Sequence, residues 1–178
     1  MRLAVIAALA GIMLTPAARA QKLELKFDTL AAKASEKAEV DLDGALLMLA
    51  AQHGLSKKDP DGKAAAGDFL SDLKEVHVRH YEFDKAGSYS DQDLAPLRKQ
   101  VSEGAGWSRI LNVKEKDETT EIFVLSQGGK VSSCLILSAE ATELSVVYIM
   151  GTLTLAQVKD LAQSGALHDL ALAGALLK

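Results

Sequence analysis

The sequence predicts an α+β fold, in which an antiparallel meander sheet of about five strands packs against helices within a single domain. Two observations support this prediction. Capping residues and helical periodicity mark the earlier part of the chain, whereas short apolar runs rich in β-branched residues follow one another closely from residue 107. The connections between these runs are too short for a parallel crossover, so neighbouring strands must run antiparallel.

The composition is that of one globular domain. The chain has 178 residues, of which 48% are hydrophobic and 25% are charged, and this balance excludes a fibrous or wholly disordered protein. Its 20 basic and 24 acidic residues leave a net charge of −4, which gives no electrostatic basis for nucleic-acid binding. The single cysteine, Cys134, excludes an internal disulfide and a cysteine-built metal site, and we expect a buried, inert thiol.

The N-terminus has the organisation of an export signal. Arg2 precedes an apolar run over residues 3–14, and Ala18-Arg19-Ala20 offers the small residues that signal peptidase reads. The run is shorter than the roughly 20 residues that a membrane span requires. We therefore expect a signal peptide over residues 1–20 with cleavage near Ala20. The mature chain, residues 21–178, is expected to be a soluble periplasmic or secreted protein without a transmembrane segment.

The first elements of the mature chain are predicted to be helices. Residues 28–37 are rich in alanine and begin with an aspartate that suits a helix cap, and residues 45–53 are almost wholly apolar, as in a buried helix. Residues 40–44 are interpreted as an interruption between these two helices. After a polar turn, residues 64–73 are predicted to form a third, short helix.

A strand and a further helix come next. The apolar residues of the strand predicted over 76–83 change sides, so we expect a β-bulge near Arg79-His80. Ser90 and Asp93 have the form of a capping box. Because Pro96 would be unfavourable well inside a helix, a helix that begins at Asp93 instead of Ser90 is the preferred alternative.

Four closely spaced strands and a last helix follow. The strands are predicted at residues 107–114, 119–126, 130–138 and 143–150. Gly128-Gly129 is a two-residue hairpin signal because both glycines tolerate a positive φ. Gly151 is expected to end the last strand, and Thr154 with Gln157 forms a second capping box that opens the helix.

Both faces of the predicted meander carry apolar residues. One alternating set contains Val131, Ser133, Leu135, Leu137, Leu144, Val146, Tyr148 and Met150. The opposite set contains Cys134, Ile136, Val147 and Ile149. A sheet with one solvated face would instead alternate between apolar and polar residues. We therefore expect both faces to be covered, either by the helices of the chain or by a protein partner or second copy that docks on the sheet face.

The densest polar stretch of the chain is residues 77–84. Its two histidines are of the type that binds metals, but a regular strand directs His77 and His80 to opposite faces, and no third ligand has a recognisable spacing. We therefore predict no metal site. Glu82 and Asp84 share one side of the strand and would be the acid and base of an enzyme. A small periplasmic enzyme that uses His77, His80 and Glu82 stays an alternative interpretation.

Other chemical signatures are weak. The chain lacks a nucleophile elbow, a dinucleotide-binding glycine motif and a phosphate-binding loop, so no catalytic residue and no cofactor is predicted. Arg79, Arg98 and Arg109 would form an anion site if their elements packed together, with ordinary ion pairs as the alternative. The candidate functional surface consists of Arg79, His80, Glu82, Arg98 and Trp107.

The C-terminal residues 166–177 are unusually apolar and rich in leucine. One interpretation is that they bind a lipid surface or a partner. They lack the cationic face that favours binding to anionic lipid. Packing on the chain's own sheet is therefore the favoured interpretation.

Several stretches occur in an order that is typical of one bacterial family. They are residues 40–44, 76–84, 89–90, 93–94, 97–100 and 106–110, with the strand that ends at Gly151. By their order the chain resembles the family of domain of unknown function 4252 over about residues 23–165. The resemblance implies an exported α+β protein, often lipid-anchored, without an established activity, cofactor or catalytic residue. This chain lacks the cysteine of a lipid-anchor signal, so we expect no anchor.

Taken together, these features favour an exported, non-catalytic binding or interaction protein of the bacterial cell envelope. The two alternatives are the small periplasmic enzyme and binding to a membrane surface through the C-terminal leucines. The sequence indicates no particular small-molecule ligand.

Overall fold

The computed structural model describes residues 22–53, 72–102 and 105–163. The predicted signal peptide, most of the helix predicted over residues 64–73 and the apolar C-terminal residues 166–177 lie outside this part of the chain. No helix within the described residues is both long and apolar enough to cross a membrane.

The described residues form an α+β domain, as predicted. Its helices are α1 (Asp28–Lys33), α2 (Gly44–His53), α3 (Asp91–Gln100) and α4 (Leu155–Gln163). Its strands are β1 (Glu36–Asp43), β2 (Leu73–Glu82), β3 (Trp107–Lys114), β4 (Glu118–Gln127), β5 (Lys130–Glu140) and β6 (Glu143–Leu153). The strands form one sheet in the order β1-β2-β6-β5-β4-β3, and each neighbouring pair is antiparallel.

The sheet has six strands where five were predicted, because the residues of β1 were interpreted as the end of a helix and the interruption that follows it. Helix α1 ends at Lys33, and the backbone of Ala34 is extended. In β1, Val40 and Leu42 are partly buried and alternate with exposed charged residues. This period of two is the signature of a half-buried strand, and the alanines before it had obscured it.

The bulge predicted near Arg79-His80 is wrong. The register of β2 with both β1 and β6 runs without a shift through these residues, and the irregularity lies instead between Leu73 and Glu75. The apolar residues change sides because β2 is buried on both faces, with Val78 in one core cluster and Tyr81 in the other.

Both capping boxes are confirmed, but one helix start is corrected. In α3 the carboxylate of Asp93 accepts hydrogen bonds from the backbone N–H and the hydroxyl of Ser90, both at 2.9 Å. The helix therefore begins at Asp91 and not at Asp93. Pro96 lies exposed within the helix, where it cannot donate a hydrogen bond to the carbonyl of Gln92.

Glycines are required at two places in the sheet, the β4–β5 hairpin and the close approach of β6 to β2. Gly128 and Gly129 join β4 to β5 with φ of 60° and 78°, as predicted for a two-residue hairpin. Gly151, in contrast, lies within β6, so the prediction that it ends this strand is wrong. A Cβ at Gly151 would lie 2.5 Å from the carbonyl oxygen of Asp72 and 2.8 Å from Cα of Leu73. A glycine is therefore required for the close approach of β2.

Two apolar cores lie on opposite faces of the sheet. The first face contains Tyr81, Phe123, Leu135, Leu137, Leu144, Val146 and Tyr148, and is covered by residues 23–30 and by α3. The second face contains Val76, Val78, Ile122, Cys134, Ile136, Val147 and Ile149, and packs against Leu47 of α2 and Val158 of α4. The prediction that both faces are covered is confirmed. Val131 belongs to the second face, not the first, because the β5–β6 register shifts between Val131 and Ser133.

Candidate functional site

A network of charged side chains lies on the first face where β1 pairs with β2. His77 Nδ1 lies 2.5 Å from Oδ1 of Asp41, and its Nε2 lies 2.9 Å from Oε2 of Glu75. Arg79 donates to both carboxylate oxygens of Asp41, at 2.8 and 3.0 Å, and Lys22 donates to Glu75 at 2.7 Å. We call these five residues the His77 network. Both ring nitrogens of its histidine are bound by carboxylates of the chain itself.

The network stabilises its two carboxylates in the charged form. Burial alone would raise the pKa of Asp41, but the hydrogen bonds from His77 and Arg79 outweigh it and hold this pKa below its ordinary value. The hydrogen bonds from Lys22 and then from His77 lower the pKa of Glu75. The imidazole also stacks on Tyr148, with ring centroids 5.8 Å apart. These contacts fix the ring as a structural link between β1, β2 and β6.

A second cluster on the first face is centred on Glu121 of β4. The carboxylate is 4% exposed and accepts hydrogen bonds from Nε of Arg98 at 2.7 Å and from Nη1 of Arg109 at 3.0 Å. Arg98 also donates to Asp91 at 2.9 Å. The three arginines considered for an anion site therefore do not meet. Two of them bind an internal carboxylate, and Arg79 binds Asp41.

Glu121 was missed at the level of sequence. It immediately precedes the buried run Ile122–Val124. An acid next to buried strand residues is a signal for a partner cation, because a buried carboxylate is stable only when it is paired. The partners come from α3 and β3, which no local spacing connects to β4.

His80 faces the second side of the sheet, opposite to His77, as the strand period predicted. Its Nδ1 lies 2.8 Å from the hydroxyl of Ser145, and its Nε2 lies 3.4 Å from Oε1 of Glu82. Asp84 is exposed in the loop after β2 and is not part of the strand. The structure therefore does not gather His77, His80 and Glu82 at one place.

The candidate surface residues are distributed in the same way. Arg79 belongs to the His77 network, whereas His80 and Glu82 interact on the other side of β2. Arg98 lies on α3, and Trp107 is buried in the core of the first face with its ring 6.3 Å from that of Tyr148. These five residues do not form one continuous surface.

A cleft of about 320 Å³ lies at one end of the sheet. It is lined by the loop before α3, the β3–β4 turn and the β5–β6 turn, with Tyr89 and Leu94 among its apolar residues. Tyr89 OH donates to the backbone carbonyls of Glu140 and Glu143. Burial, together with the charges of Glu143 and Glu118, raises the pKa of Glu140. Within the described residues, no group of three or more histidine, cysteine or acidic side chains is placed to hold a metal ion.

The thiol of Cys134 is fully buried in the second face, as predicted. Burial raises its pKa to about 12. A thiol at that pKa is protonated at neutral pH and is not a nucleophile.

Large apolar side chains are exposed on the second-face helices and on β3. Helix α2 was predicted to be buried, yet Leu46, Met48 and Leu49 are 46%, 62% and 48% exposed, and among the side chains described for residues 44–49 only Leu47 is in the core. Leu155 of α4 is also exposed. On β3 the exposed residues are Ile110, Leu111 and Val113. The prediction of a buried helix is wrong because the sheet covers only one side of a helix that packs on it.

Comparison with known proteins places this chain in a family. No curated protein matches it. The family model described as domain of unknown function (DUF4252) matches residues 32–161, which span β1 through most of α4. The sequence resemblance is thereby confirmed, and the chain belongs to the DUF4252 family.

Proposed function

We propose that this protein is an exported, non-catalytic interaction protein of the bacterial cell envelope that binds a protein partner through α2. The observation that carries the proposal is the exposed apolar side of this helix. Helix α2 contains no charged residue, and its outer side presents Leu46, Met48 and Leu49. An apolar helix surface of this kind is typical of a site that buries itself against another molecule.

The charges around α2 favour a protein over a membrane. Asp43 accepts a hydrogen bond from the backbone N–H of Leu46 at 3.0 Å and so caps the helix. Helix α2 itself contains no lysine or arginine. Helices that bind anionic lipid carry lysine or arginine beside their apolar face. An apolar helix that lacks these cations therefore fits a partner protein better than an anionic membrane surface.

The ion pairs formed by the charged side chains of the first face support a non-catalytic role. In the His77 network and at Glu121, each cation is bound by a carboxylate of the same chain. A general base must present a free atom within hydrogen-bonding distance of a substrate. The alternative, an enzyme that uses His77, His80 and Glu82, would require residues from both sides of β2 to act together.

Export rests on the sequence of residues 1–20, and the fold is compatible with it. The side chain of Gln100 accepts a hydrogen bond from the backbone N–H of Glu24 at 2.9 Å and donates to its carbonyl at 3.1 Å. These hydrogen bonds join α3 to the segment that follows the expected cleavage site. We therefore propose cleavage near Ala20 and a periplasmic or secreted mature protein.

The test is site-specific photo-crosslinking in the producing cell. A photoreactive phenylalanine analogue replaces Met48, and the matched control replaces Lys99, which is exposed on α3 on the opposite face. We expect one discrete heavier species from position 48 that disappears when Leu49→Glu is added to the same chain. Identical products from positions 48 and 99, or a product that persists with Leu49→Glu, would refute binding through α2.

The cellular compartment is tested separately. The intact mass of the protein from the periplasmic fraction should equal that of residues 21–178. An uncleaved chain in the cytoplasm would overturn the proposal of export and leave the role of α2 to the crosslinking result.

A further inference from the structure

The two edges of the sheet differ in their protection against pairing with another strand. Strand β3 forms one edge, where β4 is its only neighbour among the described strands, and its residues from Ser108 to Lys114 are all exposed. An edge strand presents unpaired backbone donors and acceptors, and natural proteins usually protect it with charged side chains, proline or a bulge. The opposite edge, β1, carries five charged residues among its eight.

Strand β1 is protected by its own acids. In an antiparallel pair of two copies, residues directly opposite each other lie on the same face of the sheet. The two such registers centred on β1 would place Glu39 opposite Glu39 or opposite Asp41, while Lys37 would lie opposite Asp41 or Asp43. Like charges directly opposite destabilise strand pairing. Each register through β1 thus contains a like-charge pair, and charged side chains of the kind that protect an edge strand occupy most of β1.

Strand β3 has less of this protection over its second half, where Lys114 is the one charged residue among residues 110–114. Arg109 is directed inward to Glu121, and the three exposed apolar residues Ile110, Leu111 and Val113 follow it. The bulge that shifts the β3–β4 register between Arg109 and Leu111 interrupts only the first half of the strand. The segment from Leu111 to Lys114 keeps a regular register with β4.

We propose that β3 pairs with β3 of a second copy, antiparallel, across a two-fold axis at Asn112, so that the two sheets become one continuous sheet. This self-association surface goes beyond the proposed function, because it uses a different element from α2 and does not depend on what α2 binds. The occupant is a second copy because the segment is self-complementary in one register.

The register follows from the faces of the residues. Leu111 lies opposite Ile122 of β4, whose side chain is in the second-face core, so Leu111 and Val113 share the second face and Asn112 lies on the first. An axis at Asn112 places Leu111 of each copy opposite Val113 of the other. It also places Lys114 of each copy opposite Ile110 of the other.

The neighbouring registers are less favourable. An axis at Leu111 would place Arg109 opposite Val113, and an axis at Val113 would place Leu111 opposite Glu115. Each of them leaves a single apolar pair, Leu111 with Leu111 or Val113 with Val113, whereas the axis at Asn112 gives two pairs of Leu111 with Val113. The regular segment is short, so the interface is small, and we expect a weak dimer that forms with rising concentration.

The first test is sedimentation velocity of residues 21–178 from low micromolar to near-millimolar concentration. We expect a reversible monomer–dimer equilibrium that Val113→Glu weakens at least tenfold. The matched control, Met48→Glu, adds the same charge at an exposed position of α2 and should leave the dimer unchanged. A monomer at every concentration, or a dimer that Val113→Glu does not affect, would overturn the proposal. A dimer lost with Met48→Glu would assign self-association to α2 instead.

A second test defines the register and does not depend on the stability of one variant. Asn112→Cys should form an intermolecular disulfide on oxidation, because residues that face each other at a two-fold axis have the Cα spacing that a disulfide requires. Leu111→Cys and Val113→Cys each lack an opposing cysteine in this register and should stay monomeric. The native Cys134 is buried, so the unmodified protein serves as the control and should form no intermolecular disulfide. Equal crosslinking at all three positions would refute the register.

A third test asks whether opposite charges at positions 111 and 113 restore dimer formation. Mixing Leu111→Lys with Val113→Glu should form a heterodimer more readily than either variant self-associates, since lysine then lies opposite glutamate. Circular dichroism of each variant establishes that its fold is intact. Absence of preferential heterodimer formation from folded variants would count against pairing between these two positions.

Discussion

The two faces of the sheet are both apolar, but they differ in whether charged side chains lie beside the core. On the first face, carboxylates penetrate to the edge of the core and are held there by cations, as at Glu121 and Asp41. On the second face, the core cluster is apolar, and the helices that cover it expose further apolar residues to solvent. The first face is therefore closed by internal contacts. The second face has the unpartnered surface on which the proposed function depends.

The largest effect that would test this contrast is expected at Glu121. Replacement of Glu121 by alanine removes the acceptor for Arg98 and Arg109 and should lower the free energy of unfolding by about 3 kcal/mol, since breaking a buried ion pair leaves its partners uncompensated. Urea denaturation of the mature protein measures the loss. The control is Asp91→Ala, which removes the exposed partner of Arg98 and should cost less than about 1 kcal/mol. Equal losses would show that the Glu121 cluster is no more than a surface contact.

The second prediction compares the two sides of α2. Leu47 is buried in the second-face core, so Leu47→Ala should lower the free energy of unfolding by roughly 2–3 kcal/mol through lost burial and a residual cavity. Leu49 lies two residues further on and is half exposed. Leu49→Ala should therefore cost less than about 0.5 kcal/mol. If both variants lost the same stability in urea denaturation, the outer side of α2 would be part of the core and unsuited to a partner.

The third prediction concerns the pH dependence of the His77 network. Because its pKa is depressed in the folded state, Asp41 stabilises the protein above its ordinary pKa of about 3.9, and this contribution is lost as the pH falls through the folded value. The side chain is 56% exposed, so solvent screening limits the effect to about 0.5–1 kcal/mol. Asp41→Asn should therefore show a shallower loss of stability between about pH 5 and pH 3 than the unmodified protein. Asp84→Asn, in the exposed loop after β2, is the control and should retain the original slope.

Most of the fold was predictable because its signals are local. The Gly128-Gly129 hairpin and the capping boxes at Ser90 and Thr154 depend on residues a few positions apart, and the structure contains all three. Strand β1 was missed because alanines that favour a helix lead directly into it. The outer side of an all-apolar helix such as α2 carries no sequence signal that separates it from the buried side.

The candidate site was less predictable because its contacts connect distant segments. The hydrogen bonds of Glu121 come from residues 23 and 12 positions away. Asp41 and His77 lie 36 positions apart and meet only because β1 pairs with β2. Because β1 was not predicted as a strand, nothing in the predicted fold brought the carboxylate of Asp41 close to His77. The dispersal of the candidate surface follows from the same cause, since strand neighbours at positions 79 and 80 belong to different faces.

The smallest predicted effect has the opposite sign and concerns Glu140 and Glu118, which form no ion pair with a cation of residues 22–53, 72–102 or 105–163. Glu140 lies directly opposite Glu118 in the β4–β5 register, and burial together with the charges of Glu143 and Glu118 raises its pKa. A carboxyl group with a raised folded pKa is destabilising when ionised, and stability is recovered as the pH falls through the folded value. Glu140→Gln should therefore raise the free energy of unfolding at pH 7 by about 0.2–0.5 kcal/mol, and this gain should shrink at pH 4. A loss of stability at neutral pH would mean that Glu140 has a cationic partner. The contrast between paired acids on the first face and unpaired acids at the end of the sheet would then fail.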